Sequence, residues 1–251
     1  MAKLYTFGCS YTYGQGLADC IIHPGQIELV VPSKLGWASL VAADLGYDLV
    51  NMSLPGNSNR SIMNTISYEV KNLDSDSIVI IHWTHKNREH RYVEFKNNDA
   101  YHFHNGQESI YAGSSDMWRG NMSPLQTWEV NQASAAYYEH IYSDFHAMLV
   151  TRQIIDYVDL KLKQYGIRVL HLGPAGHRED DGFHELPYFY DTREINIDPK
   201  HLKCFEIDLA QDNMHPGTES NINFFKYIVK NHGEYLRGKH NNTRKDNYEI
   251  Y

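Results

Sequence analysis

Two short segments near opposite ends of the 251-residue chain carry side chains that could act together as a nucleophile and its base. The first is Gly8-Cys9-Ser10-Tyr11-Thr12-Tyr13-Gly14, in which flanking glycines allow a tight turn that presents the Ser10 hydroxyl. The second is Asp212-Asn213-Met214-His215. An aspartate and a histidine three residues apart can lie on one side of a turn, where the carboxylate orients the imidazole and the imidazole takes a proton from a hydroxyl. This pattern is typical of nucleophilic catalysis.

Each segment also has an ordinary structural interpretation. A serine after a strand can cap a helix, and an aspartate and a histidine three residues apart can lie in an exposed loop. Cys9 is an alternative nucleophile beside Ser10, but side chains of neighbouring residues in a turn point apart, so a small buried thiol is the expected role of Cys9. The functional interpretation therefore requires that the fold bring the two segments together.

Alternating strands and helices supply elements that could do this. This succession of five strands and four helices predicts an α/β sandwich with a parallel sheet, in which residues just after the strands gather at one edge. The predicted strands cover 3–7, 47–52, 77–83, 167–172 and 204–207; the predicted helices cover 34–45 with Ser33 as N-cap, 58–73, 131–165, and a last helix from Thr218 or Ser220 to 236.

One domain accounts for most of the chain. Residues 1–236 form the predicted domain, with long irregular insertions at about 84–130 and 173–202, and 237–251 form a polar tail. Trp118 and Trp128 in the first insertion could stack on sugar rings, although packing of the insertion onto the domain is the simpler role for either.

The order Ser…Asp-x-x-His resembles that of the SGNH or GDSL hydrolase superfamily. The family's first block is G-D-S-x-x-x-G, and residues 8–14 match it with Cys9 in place of the acid. The resemblance implies a flavodoxin-like three-layer α/β/α fold with a five-stranded parallel sheet in the order 2-1-3-4-5. It also implies an acyl-enzyme on Ser10, with Asp212 as orienting group and His215 as base.

The resemblance further implies an oxyanion hole with three donors. Ser10 would supply one backbone N–H, and Gly56, after the second strand, would supply another. The family's third block, G-x-N-D, is not matched after the third strand, where the sequence reads His82-Trp83-Thr84-His85-Lys86-Asn87. Asn87 is the expected third donor because its amide is the same donor type, with His85 as an alternative.

Fifteen histidines raise the question of a metal. His102 and His104 could project from one face of a strand, but no companion residues complete a ligand set, so we expect no metal and no cofactor. The other histidines are expected on the surface or in the wall of a pocket, and His171, His177 and His184 could line the pocket. A metal-dependent hydrolase that uses these histidines is the weakest of the alternatives.

Composition excludes other classes. A net charge of −8 argues against a nucleic-acid partner. No apolar run is long enough for a membrane span, and three scattered cysteines do not form a disulfide framework. No signal peptide is visible, so we expect synthesis in a reducing cytoplasm, which leaves open a final place in a viral particle.

The expected function is therefore a serine esterase that removes a small acyl group, such as acetyl, from a carbohydrate or another polar ester. The alternative is a binding or structural module on the same fold with weak or no catalysis, for example a glycan-binding component of a virion. The sequence indicates no oligomeric state.

Overall fold

The centre of the molecule is a parallel sheet. The computed structural model describes residues 2–20, 31–74, 76–86, 88–91, 110–112, 139–173, 189–190 and 207–238. The strands in chain order are β1 (Lys3–Phe7), β2 (Asp48–Asn51), β3 (Ile78–His82), β4 (Glu89–Arg91), β5 (Ile110–Ala112), β6 (Arg168–Leu172) and β7 (Phe189–Tyr190). The sheet order is β2-β1-β3-β6-β7, and all of its pairings are parallel.

Helices cover both faces of this sheet. They are α1 (Ser10–Tyr13), α2 (Trp37–Leu45), α3 (Asn59–Glu69), which continues as a 3₁₀ turn at Val70–Asn72, α4 (Asp144–Gln164) and α5 (Thr218–Leu236). On one face, side chains of α3 and α4 pack against alternate residues of β1 and β3; on the other, α2 and α5 pack against the residues between them. Since successive strand residues point to opposite faces, two apolar clusters result, and β3 is buried along its whole length.

The predicted α/β sandwich and the strand order 2-1-3-4-5 are confirmed. The fifth position, however, is occupied by the two-residue strand β7, in a stretch predicted to be irregular. Of the predicted strand 204–207, only Ile207 lies in the described residues, and it is not in a strand. β4 and β5, which pair antiparallel inside the first predicted insertion, were not expected either.

The starts of two helices also differ from the sequence prediction. Ser33 does not cap α2, because its hydroxyl accepts from the N–H of Leu35 and donates to Asp19. The helix begins at Trp37 instead, whose N–H donates to the side chain of Asn221, 3.0 Å away on α5. α4 begins at Asp144, and residues 131–138 of its predicted span lie outside the described residues.

A buried polar network joins β3, β6 and α4. The indole N–H of Trp83 donates to Nδ1 of His171 at 3.1 Å, which leaves Nε2 to carry the ring proton and donate to Asp159 at 3.3 Å. Lys163 forms an ion pair with the other oxygen of Asp159. Burial favours neutral Asp159, but the hydrogen bonds from His171 and Lys163 outweigh it and hold the pKa of this carboxyl below its ordinary value. His171 was expected to line a pocket; it is instead a buried structural residue.

Among the described residues, no helix combines the length and the apolar character that a membrane span requires.

His232 predicts a stability that depends on pH. The ring lies in α5, 2% exposed, and burial lowers its pKa from 6.5 to about 4. As the pH falls, His232 is therefore protonated in the unfolded chain before it is protonated in the folded protein. The stability contribution is complete above pH 6.5 and decreases between 6.5 and about 4, by on the order of 3 kcal/mol.

We expect His232→Leu to flatten the fall in unfolding free energy between pH 6.5 and 4, measured by urea denaturation at several pH values. His146→Gln, a change at an exposed histidine on α4, is the control and should keep the wild-type slope. Equal slopes in all three proteins would contradict the assignment of this acid sensitivity to His232.

Candidate active site

Ser10 is the first residue of the short helix α1, which follows directly on β1. Gly8 allows this tight entry, because a Cβ there would lie 2.3 Å from the hydroxyl oxygen of Thr12. Gly14 ends the helix in the left-handed region at φ 78°. Ser10 itself is 4% exposed, and Cys9 is also buried, as expected for a packed thiol. Residues 8–14 thus form a tightly packed turn at the carboxyl end of β1, a central strand.

Asp212 and His215 form a closed turn. One carboxylate oxygen of Asp212 accepts the backbone N–H groups of Met214 and His215, each at 3.0 Å, and the other lies 2.6 Å from Nδ1 of His215. A carboxylate at this distance assigns the ring proton to Nδ1, so Nε2 is left with its lone pair. Burial favours neutral Asp212, but the hydrogen bonds from Met214 and His215 outweigh it and lower the pKa of the carboxyl.

The fold brings this turn against the loop that follows α1. The N–H of Gln211 donates to the carbonyl of Gly16 at 3.0 Å, and a Cβ on Gly16 would lie 2.6 Å from a carboxylate oxygen of Asp212. The ring of Tyr11 meets that of His215 edge-to-face with centroids 5.8 Å apart. The imidazole therefore lies beside the residue that follows Ser10, although some 205 residues separate the two in sequence.

Ser10 and His215 are neighbours without a direct bond. Among the described residues, no hydrogen bond joins the Ser10 hydroxyl to the His215 ring. In enzymes without substrate, the hydrogen bond between nucleophile and base is often long and shortens when substrate binds. The structure therefore brings Ser10 and the Asp212–His215 pair to the same edge of the sheet without joining them by a hydrogen bond.

A second aspartate on the same loop holds the loop to α5. The carboxylate of Asp208 accepts the N–H groups of Glu219 and Ser220 and the hydroxyl of Ser220, and it occupies the space where a Cβ of Gly217 would lie. Burial favours its neutral form, but the bonds from Ser220 and Glu219 outweigh it and lower the pKa of Asp208. Asp208 thus caps the helix that follows His215.

The loop after β2 is tied to the turn that carries Ser10. The carbonyl of Gly8 accepts the N–H of Leu54 at 3.3 Å and the side-chain amide of Asn57 at 2.9 Å. Asn51 donates to the carbonyl of Thr12 at 2.9 Å. Between Leu54 and Asn57, Gly56 adopts φ 78°, a conformation that favours glycine. The structure therefore places the predicted second donor, Gly56, in a loop that two hydrogen bonds hold to the residue two before Ser10.

The loop after β3 is fixed by another asparagine. The side chain of Asn59 accepts the N–H of Thr84 at 2.8 Å and donates to its carbonyl at 3.0 Å. Asn87, the predicted third donor, lies outside the described residues, and so do His102 and His104 of the predicted metal pair. Sequence reasoning missed Asn57 and Asn59; the only signal was their position next to Gly56, at the start of the second predicted helix.

Histidines of the central strands do not form a metal site. His82 is buried under α1, with Nδ1 3.3 Å from the hydroxyl oxygen of Thr12 and its ring against Trp37 and Phe224. It was expected on the surface or in a pocket wall, and packing accounts for it instead. Within the described ranges, no three His, Cys, Asp or Glu side chains group closely enough to hold a metal ion.

Comparisons with known proteins find proteins similar to this chain by structure and not by sequence. No protein-family model matches the chain, and no curated protein matches it in sequence. The chain is similar in structure to GDSL and SGNH proteins. A G-D-S-L family protein from Desulfitobacterium hafniense DCB-2 is 12% identical with a TM-score of 0.47, over 92% of this chain and 99% of that one.

Two esterases are similar to the chain to the same degree. The psychrotrophic esterase EstA from Pseudoalteromonas sp. is 10% identical with a TM-score of 0.45, over 94% of this chain and 99% of that one. The acetyl xylan esterase Est2A from Butyrivibrio proteoclasticus is 14% identical with a TM-score of 0.47, over 95% and 64%. Identities this low do not establish a shared activity, so a function must be inferred from the residues of the site.

Gly16→Ala should displace Asp212. The added methyl group would lie within 3 Å of the carboxylate, at a backbone φ of 86° that L residues rarely adopt. We expect weakening or loss of the hydrogen-bonded Nδ1 proton signal of His215 in the NMR spectrum. Gly46→Ala is the matched control, because Gly46 has φ 71° but nothing within 4 Å of its Cβ position. The same Nδ1 signal in both variants would show that Gly16 does not position Asp212.

Proposed function

We propose that this protein is a serine esterase that removes a small acyl group from a carbohydrate or another polar ester. The observation that carries the proposal is the hydrogen-bonded pair Asp212–His215, docked beside the turn of Ser10 by the contact of Gly16 with Gln211. An oriented imidazole with a free Nε2 next to a buried hydroxyl is the arrangement that activates a serine. The Trp residues of the first insertion, which could contact a sugar, lie outside the described residues.

The reaction has two halves. In the first, the oxygen of Ser10 attacks the ester carbonyl carbon while Nε2 of His215 takes the hydroxyl proton, and the tetrahedral intermediate collapses as the C–O bond to the alcohol breaks. The departing alkoxide receives the proton from Nε2, which leaves an acyl-enzyme. In the second half, water loses a proton to Nε2 and attacks the acyl carbon, and Ser10 leaves with that proton. Asp212 stays ionised throughout and stabilises the imidazolium.

The oxyanion of each intermediate needs hydrogen-bond donors. We assign two of them to the backbone N–H groups of Ser10 and Gly56. The hydrogen bonds of the Gly8 carbonyl support this assignment, since they hold the loop of Gly56 to the start of α1. Each such donor contributes on the order of 3 kcal/mol to transition-state stabilisation. Asn87 stays a prediction for the third donor.

A binding or structural module, such as a glycan-binding component of a virion, is the second candidate. One observation favours it: the described structure has no hydrogen bond between Ser10 and His215. A module of this kind would keep the fold and bind a glycan ester without cleaving it.

Ser10→Ala should abolish hydrolysis of p-nitrophenyl acetate, because no other group would form the acyl-enzyme. A fluorophosphonate probe should label the wild type and leave the variant unlabelled, as measured by intact-protein mass spectrometry. Cys9→Ala is the neighbouring control and should still be labelled. Hydrolysis that survives Ser10→Ala would refute Ser10 as nucleophile, and a wild type that neither hydrolyses nor reacts would favour the binding module.

Variants of the two aspartates in this loop should distinguish a loss of catalysis from a loss of stability. We expect Asp212→Ala to lower kcat on the order of 10⁴-fold, since His215 loses the group that orients it. Asp208→Ala should leave the chemistry in place but lower the unfolding free energy by about 1–2 kcal/mol through loss of the cap on α5. Initial rates and urea denaturation of both variants test this. A similar loss of kcat in both would argue that Asp212 acts only by holding the loop.

A further inference from the structure

We propose that the hydroxyl of Thr84 is the third donor of the oxyanion hole, in the place where the sequence offers no matching asparagine motif. The inference rests on the proposed esterase function and extends it. Thr84 is 1% exposed and follows β3 by two residues. Four observations support the assignment. The segment of Thr84 leaves the sheet beside that of Ser10, and Thr84 lies on the same face as His82. Hydrogen bonds fix the backbone of Thr84, and its hydroxyl proton is not donated to Arg88.

Strand register brings the segments that lead to Ser10 and Thr84 out of the sheet side by side. Phe7 of β1 pairs with Ile81 of β3, and Ser10 and Thr84 each come three residues after their member of that pair. Neighbouring strands lie about 4.8 Å apart, so the two chain segments leave the sheet side by side. The approach is close, because the carbonyl oxygen of His82 would lie 3.1 Å from a Cβ on Gly8.

Alternation along the chain puts Thr84 on the face of α1. The segment stays extended past β3, since the N–H of Trp83 still donates to the carbonyl of Leu172 at 2.9 Å. Side chains two residues apart on an extended segment point the same way, so Thr84 shares the face of His82. That face is the one on which His82 contacts Thr12 of α1, at 3.3 Å between Nδ1 and the hydroxyl oxygen.

Asn59 fixes the position of Thr84. Its side chain makes the two hydrogen bonds that a neighbouring backbone would make, to the N–H and the carbonyl of Thr84. Asn59 is itself three residues after Gly56, so one short segment carries the proposed donor Gly56 and also binds Thr84. Such donors contribute to catalysis when they need no reorganisation as charge develops.

The hydroxyl of Thr84 is oriented to donate. Nη1 of Arg88 donates to its oxygen at 2.9 Å, and a guanidinium has no acceptor with which to return the bond. Among the described residues this is the only hydrogen bond of the Thr84 side chain, so the hydroxyl proton is directed elsewhere. A positively charged donor also polarises the O–H bond, which strengthens donation to an oxyanion.

The test compares Thr84→Val with Thr84→Ser on p-nitrophenyl acetate. We expect valine, which has the same shape without the hydroxyl, to lower kcat on the order of 10²–10³-fold with little change in KM. Serine, which keeps the hydroxyl, should restore most of kcat. Binding of an aryl trifluoromethyl ketone, which forms an oxyanion on Ser10, should weaken in Thr84→Val in proportion to kcat, a change that loss of packing alone would not produce.

Controls keep the outcomes distinct. Thr65→Val removes a hydroxyl on α3 whose one hydrogen bond among the described residues is to the helix backbone, and it should keep wild-type kcat. Should Thr84→Val fail to fold, Thr84→Ala makes the same comparison with serine. A wild-type kcat in Thr84→Val, or an Asn87→Ala variant that alone loses kcat and ketone binding, would overturn the assignment to Thr84. A wild type that neither hydrolyses the ester nor reacts with a fluorophosphonate overturns the esterase function itself.

Discussion

The parallel register of β1 with its two neighbours is the constraint on which the candidate site depends. Phe7 pairs with Ile81 on one side, and Thr6 pairs with Asn51 on the other, so three chain segments leave the sheet at the same level. Beyond that level, β1 has no further strand pairing among the described residues, so the backbone groups of the loops that follow need other partners. Any functional arrangement at this edge must therefore supply its own hydrogen bonds, or it would leave buried polar groups unpaired at a cost of about 1–3 kcal/mol each.

Asparagine side chains meet this requirement. Asn51, Asn57 and Asn59 each bond to the backbone of a segment that leaves another strand of the sheet. An amide side chain both donates and accepts, so it can replace the peptide of a missing strand. The result is an edge where side-chain hydrogen bonds hold the loops in place, which is what oxyanion donors would require if they are not to reorganise during a reaction.

Much of the fold follows from the sequence because apolar periodicity reports burial. The run from Ile78 to Ile81 could only be a central strand, and the order of elements limits the topology to few choices. β7 could not be predicted, since a two-residue strand has no period of its own. The start of α2 could not be predicted either, because the side chain that accepts the N–H of Trp37 is that of Asn221, which comes 184 residues later.

The candidate site, too, could be predicted only where its residues are close together in sequence. Ser10, Asp212 and His215 could be selected because the spacing of the last two is local and their chemistry is specific. The roles of His171 and His82 depend on distant partners, Trp83 and Thr12, which no local pattern reveals. A histidine with a buried aspartate beside it looks alike in sequence whether it is a base or a structural residue. The indole N–H of Trp83 distinguishes the two, because it occupies the nitrogen that a base would need.

The distance along the chain between the two halves of the site has a consequence for how the protein matures. α1 is a local turn that can form as soon as its strand does, but the imidazole belongs to a loop held by the last described helix. In a partly folded chain Ser10 and the imidazole are therefore apart, and they come together only when the loop has docked against Gly16 and α5. Whatever chemistry Ser10 and His215 perform, their meeting depends on contacts between segments from the two ends of the chain rather than on the formation of any single element.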